Sequence, residues 1–328
     1  MSKSYPTRDF ASGVWRVNDI ADNLGKYGTW PSGATRGVFF AGGASPAGGN
    51  VTIDYITIET TGDAADFGDS TRTGDGREAV SGLGSFTRGC AGGGNPGLTT
   101  IDYVTILTTG NSADFGDMTR GSASPFGGAN ATRGLFAGGY PTTNVIDYIT
   151  TASTGNAVDF GDLTSARYEG SQGSVNSPIR SFFLGGSTPS KVNTIDFVEF
   201  ASLGNAVDYG DLLAGKWQSG GASNFTRGLN MGGTTPTHID VVEYLSLQSL
   251  GDTADFGDLS STRKYNGGVS SLRRALTGGG SPVAAGTNII EYVEFATAGD
   301  MTDFGDLTVA RGRHASFSNG HGGLEARP

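Results

Sequence analysis

A four-residue pattern that sets two carboxylates three positions apart occurs six times. It reads DFGD at 66–69, 114–117, 159–162, 255–258 and 303–306, and DYGD at 208–211. Carboxylates at this spacing suit two kinds of cation chemistry. One is the magnesium-holding DFG of protein kinases, which needs a glycine-rich nucleotide loop and an HRD-type catalytic loop. Neither is present. The other is calcium, but calcium loops offer several oxygen ligands in a tight run, and here Phe and Gly interrupt them. A motif carried by every unit is better suited to building the unit. Asp then caps a turn, Phe packs between neighbouring units and Gly permits the bend.

Six arginines recur with the same regularity: Arg36, Arg88, Arg133, Arg180, Arg227 and Arg274. They are expected to pair with a DFGD aspartate or a carbonyl. The alternative is an exposed ring of guanidinium groups that binds an anion, and the acidity of the chain favours pairing. The cluster AGGGNPG (91–97) lacks the Gly-Lys-Ser/Thr of a phosphate loop and reads as a hairpin. His314 and His321 lie seven apart in a strand and a tail, which is not a metal-ligand spacing. Cys90 is the single cysteine, so no intrachain disulfide can form, and a small-residue strand should bury it as an inert thiol. No spacing brings Ser, Asp and His together. The chain is therefore expected not to be an enzyme and to need no cofactor and no metal.

The elements that position these residues form a repeat. Stretches such as TRGVFFAGG (35–43), TRGLFAGG (132–139) and TRGLNMGG (226–233) begin each unit, and the mean spacing of the arginines is about 48 residues. A second stretch follows each double glycine: IDYITI (53–58), IDYVTI (101–106), IDYITT (146–151), IDFVEF (195–200), IDVVEY (239–244) and IEYVEF (290–295). Apolar and polar residues alternate there, as in a half-buried strand. DFGD comes next, behind a turn such as TGNA (154–157). The small-residue stretches GSQGS (170–174), QSGGAS (218–223) and NGGVSS (266–271) supply one more strand per unit, suited to a crowded axis. Six units of four strands make a six-bladed, all-β propeller over residues 35–328. The last DFGD is followed by ARGRHASFSN (310–319), a first strand without the rest of its blade. Pairing it with the first blade would close the ring and remove two sheet edges.

Bulk properties narrow the partners. The 328 residues carry a net charge of −10, which disfavours nucleic acid and anionic membrane surfaces. No apolar run approaches the roughly 20 residues that span a bilayer. The N-terminus, MSKSYPTRDF, has no apolar signal core.

The double glycine after a short apolar strand, the hydrophobic–Asp–aromatic strand behind it and the aromatic of DFGD resemble kelch propellers. The resemblance runs from Thr35 onward. It departs in one respect, since DFGD carries Phe or Tyr where kelch repeats commonly carry Trp. Residues 1–34 stand outside the repeat and read as a docking segment with one short helix, in which Val17, Ile20 and Leu24 share a face. Trp15 and Trp30 flank it. The pattern GVW…GTWP (13–15, 28–31) resembles a segment of structural proteins of tailed phages, marine and cyanobacterial ones especially, as do the IDYITI and DFGDLT repeats.

This resemblance implies a non-enzymatic virion component of the tail, fibre or capsid surface. Trp15, Ile20, Leu24 and Trp30 would dock it to other virion proteins. Its loops at 44–50, 94–98, 140–143, 187–191, 234–237 and 281–287 would face a partner or host-surface glycans. A homo-oligomer within such an assembly is compatible with this picture. The alternative is a carbohydrate-binding or glycan-acting propeller outside any virion.

Overall fold

The structure, a computed structural model, describes residues 35–43, 49–72, 77–281 and 286–324. The expected helix with Trp15, Ile20, Leu24 and Trp30 lies outside the described residues, as do parts of the loops 44–50 and 281–287. The described residues form an all-β, six-bladed propeller without a helix. Each blade is a four-stranded antiparallel sheet. The innermost strands are Ser81–Gly84, Phe126–Ala129, Val175–Asn176, Gly220–Ser223, Gly267–Ser270 and Ala315–Ser318, all buried. They are built from small residues because six of them converge. A Cβ on Gly84 would lie 2.4 Å from the Ser318 carbonyl oxygen, and one on Gly127 would lie 2.2 Å from that of Gly82.

In the first blade, Ala315–Ser318 pairs with Arg36–Phe40, in register from Gly37 opposite Ser318 to Phe40 opposite Ala315. Thr52–Thr57 and Ala65–Asp69 complete that sheet. The strand that precedes this blade's other members in space is therefore the last in sequence.

Six hydrophobic clusters fill the six junctions between blades, and each holds one DFGD aromatic: Phe67, Phe115, Phe160, Tyr209, Phe256 and Phe304. The ring of each aromatic meets the aromatic of its own IDY strand edge-on, as in Tyr103–Phe115 at 5.9 Å and Phe197–Tyr209 at 5.4 Å. Edge-to-face packing of this kind adds to the gain from burial alone. Above each pair lies the repeating arginine, with Arg36 at 4.5 Å from the Tyr55 ring and Arg274 at 4.7 Å from that of Tyr292. Arg36, Arg88, Arg133, Arg227 and Arg274 then donate to carbonyls of the next blade, those of Ile106, Thr151, Phe200, Phe295 and Ile58. The carbonyl half of the sequence expectation describes them; no DFGD aspartate is their recorded partner.

The DFGD strand is outermost and reaches across to the following blade. Gly110 donates its N–H to the Phe67 carbonyl at 2.7 Å, and Ser112 donates to that of Asp69 at 2.9 Å. The Asn111 side chain accepts from the Asp69 N–H. The same ladder recurs at every junction, including the last, where Gly62 donates to the Phe304 carbonyl at 2.8 Å. The motif's glycine makes this approach feasible. Gly116 has φ +144°, and a Cβ on it would stand 2.6 Å from the Gly155 backbone.

The axis is filled from two directions. Blade four carries two more residues than its neighbours before the innermost strand, and the surplus at 171–174 crosses the channel. The Gln172 carbonyl accepts from Gly221 and Gly268, and Ser174 Oγ reaches the Gly82 carbonyl. At the opposite end the tail 319–324 folds over the axis. Gly322 donates to the Ser223 carbonyl, His321 Nε2 lies 2.7 Å from the Gly84 carbonyl, and Leu324 is buried.

Candidate functional site

The strand IDY supplies an acid to a second charged set, distinct from the repeating arginines. Arg77 pairs with Asp102 at 3.0 Å, Arg167 with Asp196 at 3.1 Å, Lys216 with Glu243 at 2.5 Å and Arg311 with Asp54 at 3.0 Å. Arg263 pairs with Glu291 in the same way. All ten side chains are buried, and each pair joins one blade to the next. Burial holds the pKa of the five cations below its usual value, and the facing carboxylate works against that shift. The junction between blades two and three departs from the pattern. Asp147 there accepts from the backbone N–H and hydroxyl of Thr119, while Arg120 donates to the Gly138 carbonyl. These pairs are structural, and their geometry leaves no face for a ligand.

Two residues beyond each buried cation the backbone turns left-handed. The residues are Ala79, Glu169, Gln218, Tyr265 and Arg313, with Ser124 at the equivalent place in the exceptional junction; their φ values run from 49° to 63°. Each donates its N–H to the carbonyl of its predecessor in the circle. Ser124 donates to Ala79, Glu169 to Ser124, Gln218 to Glu169, Tyr265 to Gln218, Arg313 to Tyr265 and Ala79 to Arg313, at 2.7 to 3.2 Å, within ordinary hydrogen-bond range. The result is a closed ring of six backbone hydrogen bonds about the axis. Glycine is the default residue for φ near +60°, and a side chain costs roughly 1–2 kcal/mol there. None of the six is glycine, and no two are alike. Ala79, Ser124, Gln218 and Tyr265 are buried, while Glu169 and Arg313 are partly exposed.

The side chains form a network on this face. Gln218 Nε2 donates to Glu169 Oε2 at 2.5 Å and to the Tyr265 hydroxyl at 2.6 Å. Arg313 Nη2 donates to the same hydroxyl at 2.7 Å, and its guanidinium stacks 4.3 Å from the Tyr265 ring centre. Arg313 Nη1 approaches Glu78 at 3.7 Å, and Asn95 donates to Glu78. The Tyr265 hydroxyl accepts twice, so its proton remains to be donated. Burial raises its pKa, with Glu169 adding to the effect, so it stays a phenol. Burial likewise pushes the Glu169 carboxyl up, opposed by the Gln218 hydrogen bond and by Arg313 and Lys264.

An outer circle surrounds the ring. Each ring residue follows one that meets the loop behind a double glycine: Ala123 bridges Tyr140, Tyr168 bridges Ser187, Trp217 bridges Thr234 and Lys264 bridges Ser281. Over blades three to five this circle is aromatic. Tyr140 is 5.6 Å from Tyr168, which is 6.2 Å from Trp217. Tyr140 is 55% exposed, which makes it the most accessible edge of the run. Lys191 sits 5.6 Å over the Trp217 ring and Lys264 5.0 Å over that of Tyr265. The pKa of Lys264 is lowered, first by burial and then by Arg313, with Glu169 opposing and Lys191 adding to the shift. Three cations therefore share one corner of an acidic protein.

The residues singled out for docking, Trp15, Ile20, Leu24 and Trp30, lie outside the described residues. Cys90 is buried with its thiol pushed up to about 12 by burial. Among the described residues no group of three His, Cys, Asp or Glu could hold a metal ion. The ring itself escapes a search for repeated letters, because its six members differ. Its signal is positional: YE, WQ, KY and GR stand directly behind the cations of DFGDLTSAR, DYGDLLAGK, DFGDLSSTR and DFGDLTVAR. Compared with known proteins, the chain matches no family model and no curated protein.

Proposed function

We propose that this chain is a non-enzymatic recognition propeller that works as a surface component of a phage virion. The observation that carries the recognition half is the face around the left-handed ring: a backbone bonded alike in all six blades, with Glu169 and Arg313 partly exposed on it and the exposed Tyr140 in the circle outside. A rigid scaffold that carries different residues at equivalent positions suits selective binding. The virion half is supported by the resemblance of GVW…GTWP and of the IDYITI and DFGDLT repeats to phage structural proteins. In this account residues 1–34 dock the protein to other virion proteins through Trp15, Ile20, Leu24 and Trp30, because large aromatics concentrate binding energy at interfaces. The propeller is of the kelch type, and the pairing of Ala315–Ser318 with Arg36–Phe40 is what closes it.

The test is incorporation. Particles should carry the full chain, and an antibody to the propeller should label their surface. Deleting residues 1–30 should leave the thermal midpoint of the propeller nearly unchanged while incorporation is lost. A deleted chain that still assembles would rule out the docking role, and particles lacking the chain altogether would rule out a virion component.

A further inference from the structure

The aromatic and cationic corner of the loop face stands apart from the rest of the ring. Blades one and two present Ala79 and Ser124, which offer a ligand almost nothing. Blades three to six bring together Tyr140, Tyr168 and Trp217 on one side and Lys191, Lys264 and Arg313 on the other. We propose that this corner binds an acidic glycan, with pyranose rings on the aromatic run and their carboxylates on Lys191, Lys264 and Arg313. The proposal rests on the recognition reading above and names the ligand for it.

Three observations select this occupant. First, the charge is complementary and local. The chain carries −10, yet three cations lie together here, and only Arg313 among them has a recorded carboxylate within ion-pair distance. Second, the aromatic rings run on from the exposed Tyr140 through the partly exposed Tyr168 to Trp217, the first pair tilted and the second edge to face. Aromatic surface of this kind suits a ligand with apolar faces and polar edges, and a pyranose has both. Third, the hydrogen-bonding groups beside the run are of both kinds. Lys264 and Arg313, both partly exposed, have N–H groups to give, and the partly exposed Glu169 accepts from Gln218 through Oε2 and has Oε1 left to accept with. Sugar hydroxyls need donors and acceptors side by side, whereas a simple inorganic anion needs only donors.

Binding of the full-length protein is measured by calorimetry against polygalacturonate, hyaluronan and polysialic acid. Fully methyl-esterified polygalacturonate and poly-glutamate serve as controls. The expected result is saturable binding to at least one acidic polysaccharide, weakened by added salt, with loss of binding on esterification and no comparable binding to poly-glutamate. The variant Lys191→Ala/Lys264→Ala should weaken binding by about tenfold or more, and the exposed Tyr140→Ala should weaken it by several-fold without changing the thermal midpoint. No binding to any of the three polysaccharides overturns the proposal. So does equal affinity for the methyl ester, which would show that charge is not read, or for poly-glutamate, which would show that the sugar is not. If the protein adsorbs to host cells and the double lysine variant adsorbs equally well, the recognition reading stands and the acidic-glycan assignment falls.

Discussion

Two arginine sets with opposite roles recur in this chain. Arg36 and its five counterparts lie over an aromatic ring at the rim of a junction, and five of them donate to the next blade's carbonyls. Arg167 and its counterparts are wholly buried against an acid. Breaking a buried pair from one side leaves a charge without a partner, so Arg167→Met should cost about 3–5 kcal/mol in denaturant unfolding. Adding Asp196→Leu should recover much of that loss, and a double variant no better than the single one would contradict the account. The histidines offer a second test. Burial holds His314 neutral with a pKa of about 3, and His321 with one of about 4. A depressed histidine contributes stability that is complete above its unfolded pKa, near 6.5, and is lost as pH falls toward the folded value. Each should therefore cost about 1.4 kcal/mol per pH unit below that point until its folded pKa is reached. His321→Asn should flatten the acid limb of a stability–pH curve. An unchanged limb would mean that His321 is not the titrating group.

Among the elements, the DFGD strand was legible as structure from its recurrence alone, since a motif in all six units is poorly suited to a single site. Its bridging of two blades was not legible. The partner is the backbone of a turn about forty residues away, and backbone leaves no trace in side-chain pattern. Gly116→Ala should cost about 1–3 kcal/mol, because the added Cβ meets the Gly155 backbone and the residue stays at positive φ. A neutral effect in thermal melts would mean that the outer ladder does not hold the blades. The left-handed ring was hidden for the opposite reason. It is a set of positions whose letters differ, so only the three-dimensional pairing of 79, 124, 169, 218, 265 and 313 defines it. Lys216 likewise stands where other blades have Arg, and the Thr119–Asp147 contact replaces the pair at one junction altogether.

For the whole molecule, the strand count and the blade count followed from spacing, and small residues located the innermost strands. The fill of the axis did not follow, because a two-residue surplus in blade four and six residues of tail look like ordinary loop in the sequence. The proposed closure makes the last strand a load shared by the ring. Removing everything after Ala310 should expose two strand edges and shift the protein into aggregates in size-exclusion chromatography. A soluble truncated chain with a cooperative melt would contradict closure by the C-terminal strand.

The claim that the left-handed ring is the recognition surface is tested most directly by adsorption of the labelled full-length protein to host cells. The comparison is with a variant in which Glu169, Gln218 and Arg313 are all glycine. Glycine accepts their positive φ, so the backbone ring should persist, and a cooperative melt, though at a lower midpoint because the Tyr265 network is lost, shows that the variant is folded. The account predicts saturable adsorption of the parent and its loss in the variant. A folded variant that adsorbs as tightly as the parent would contradict it.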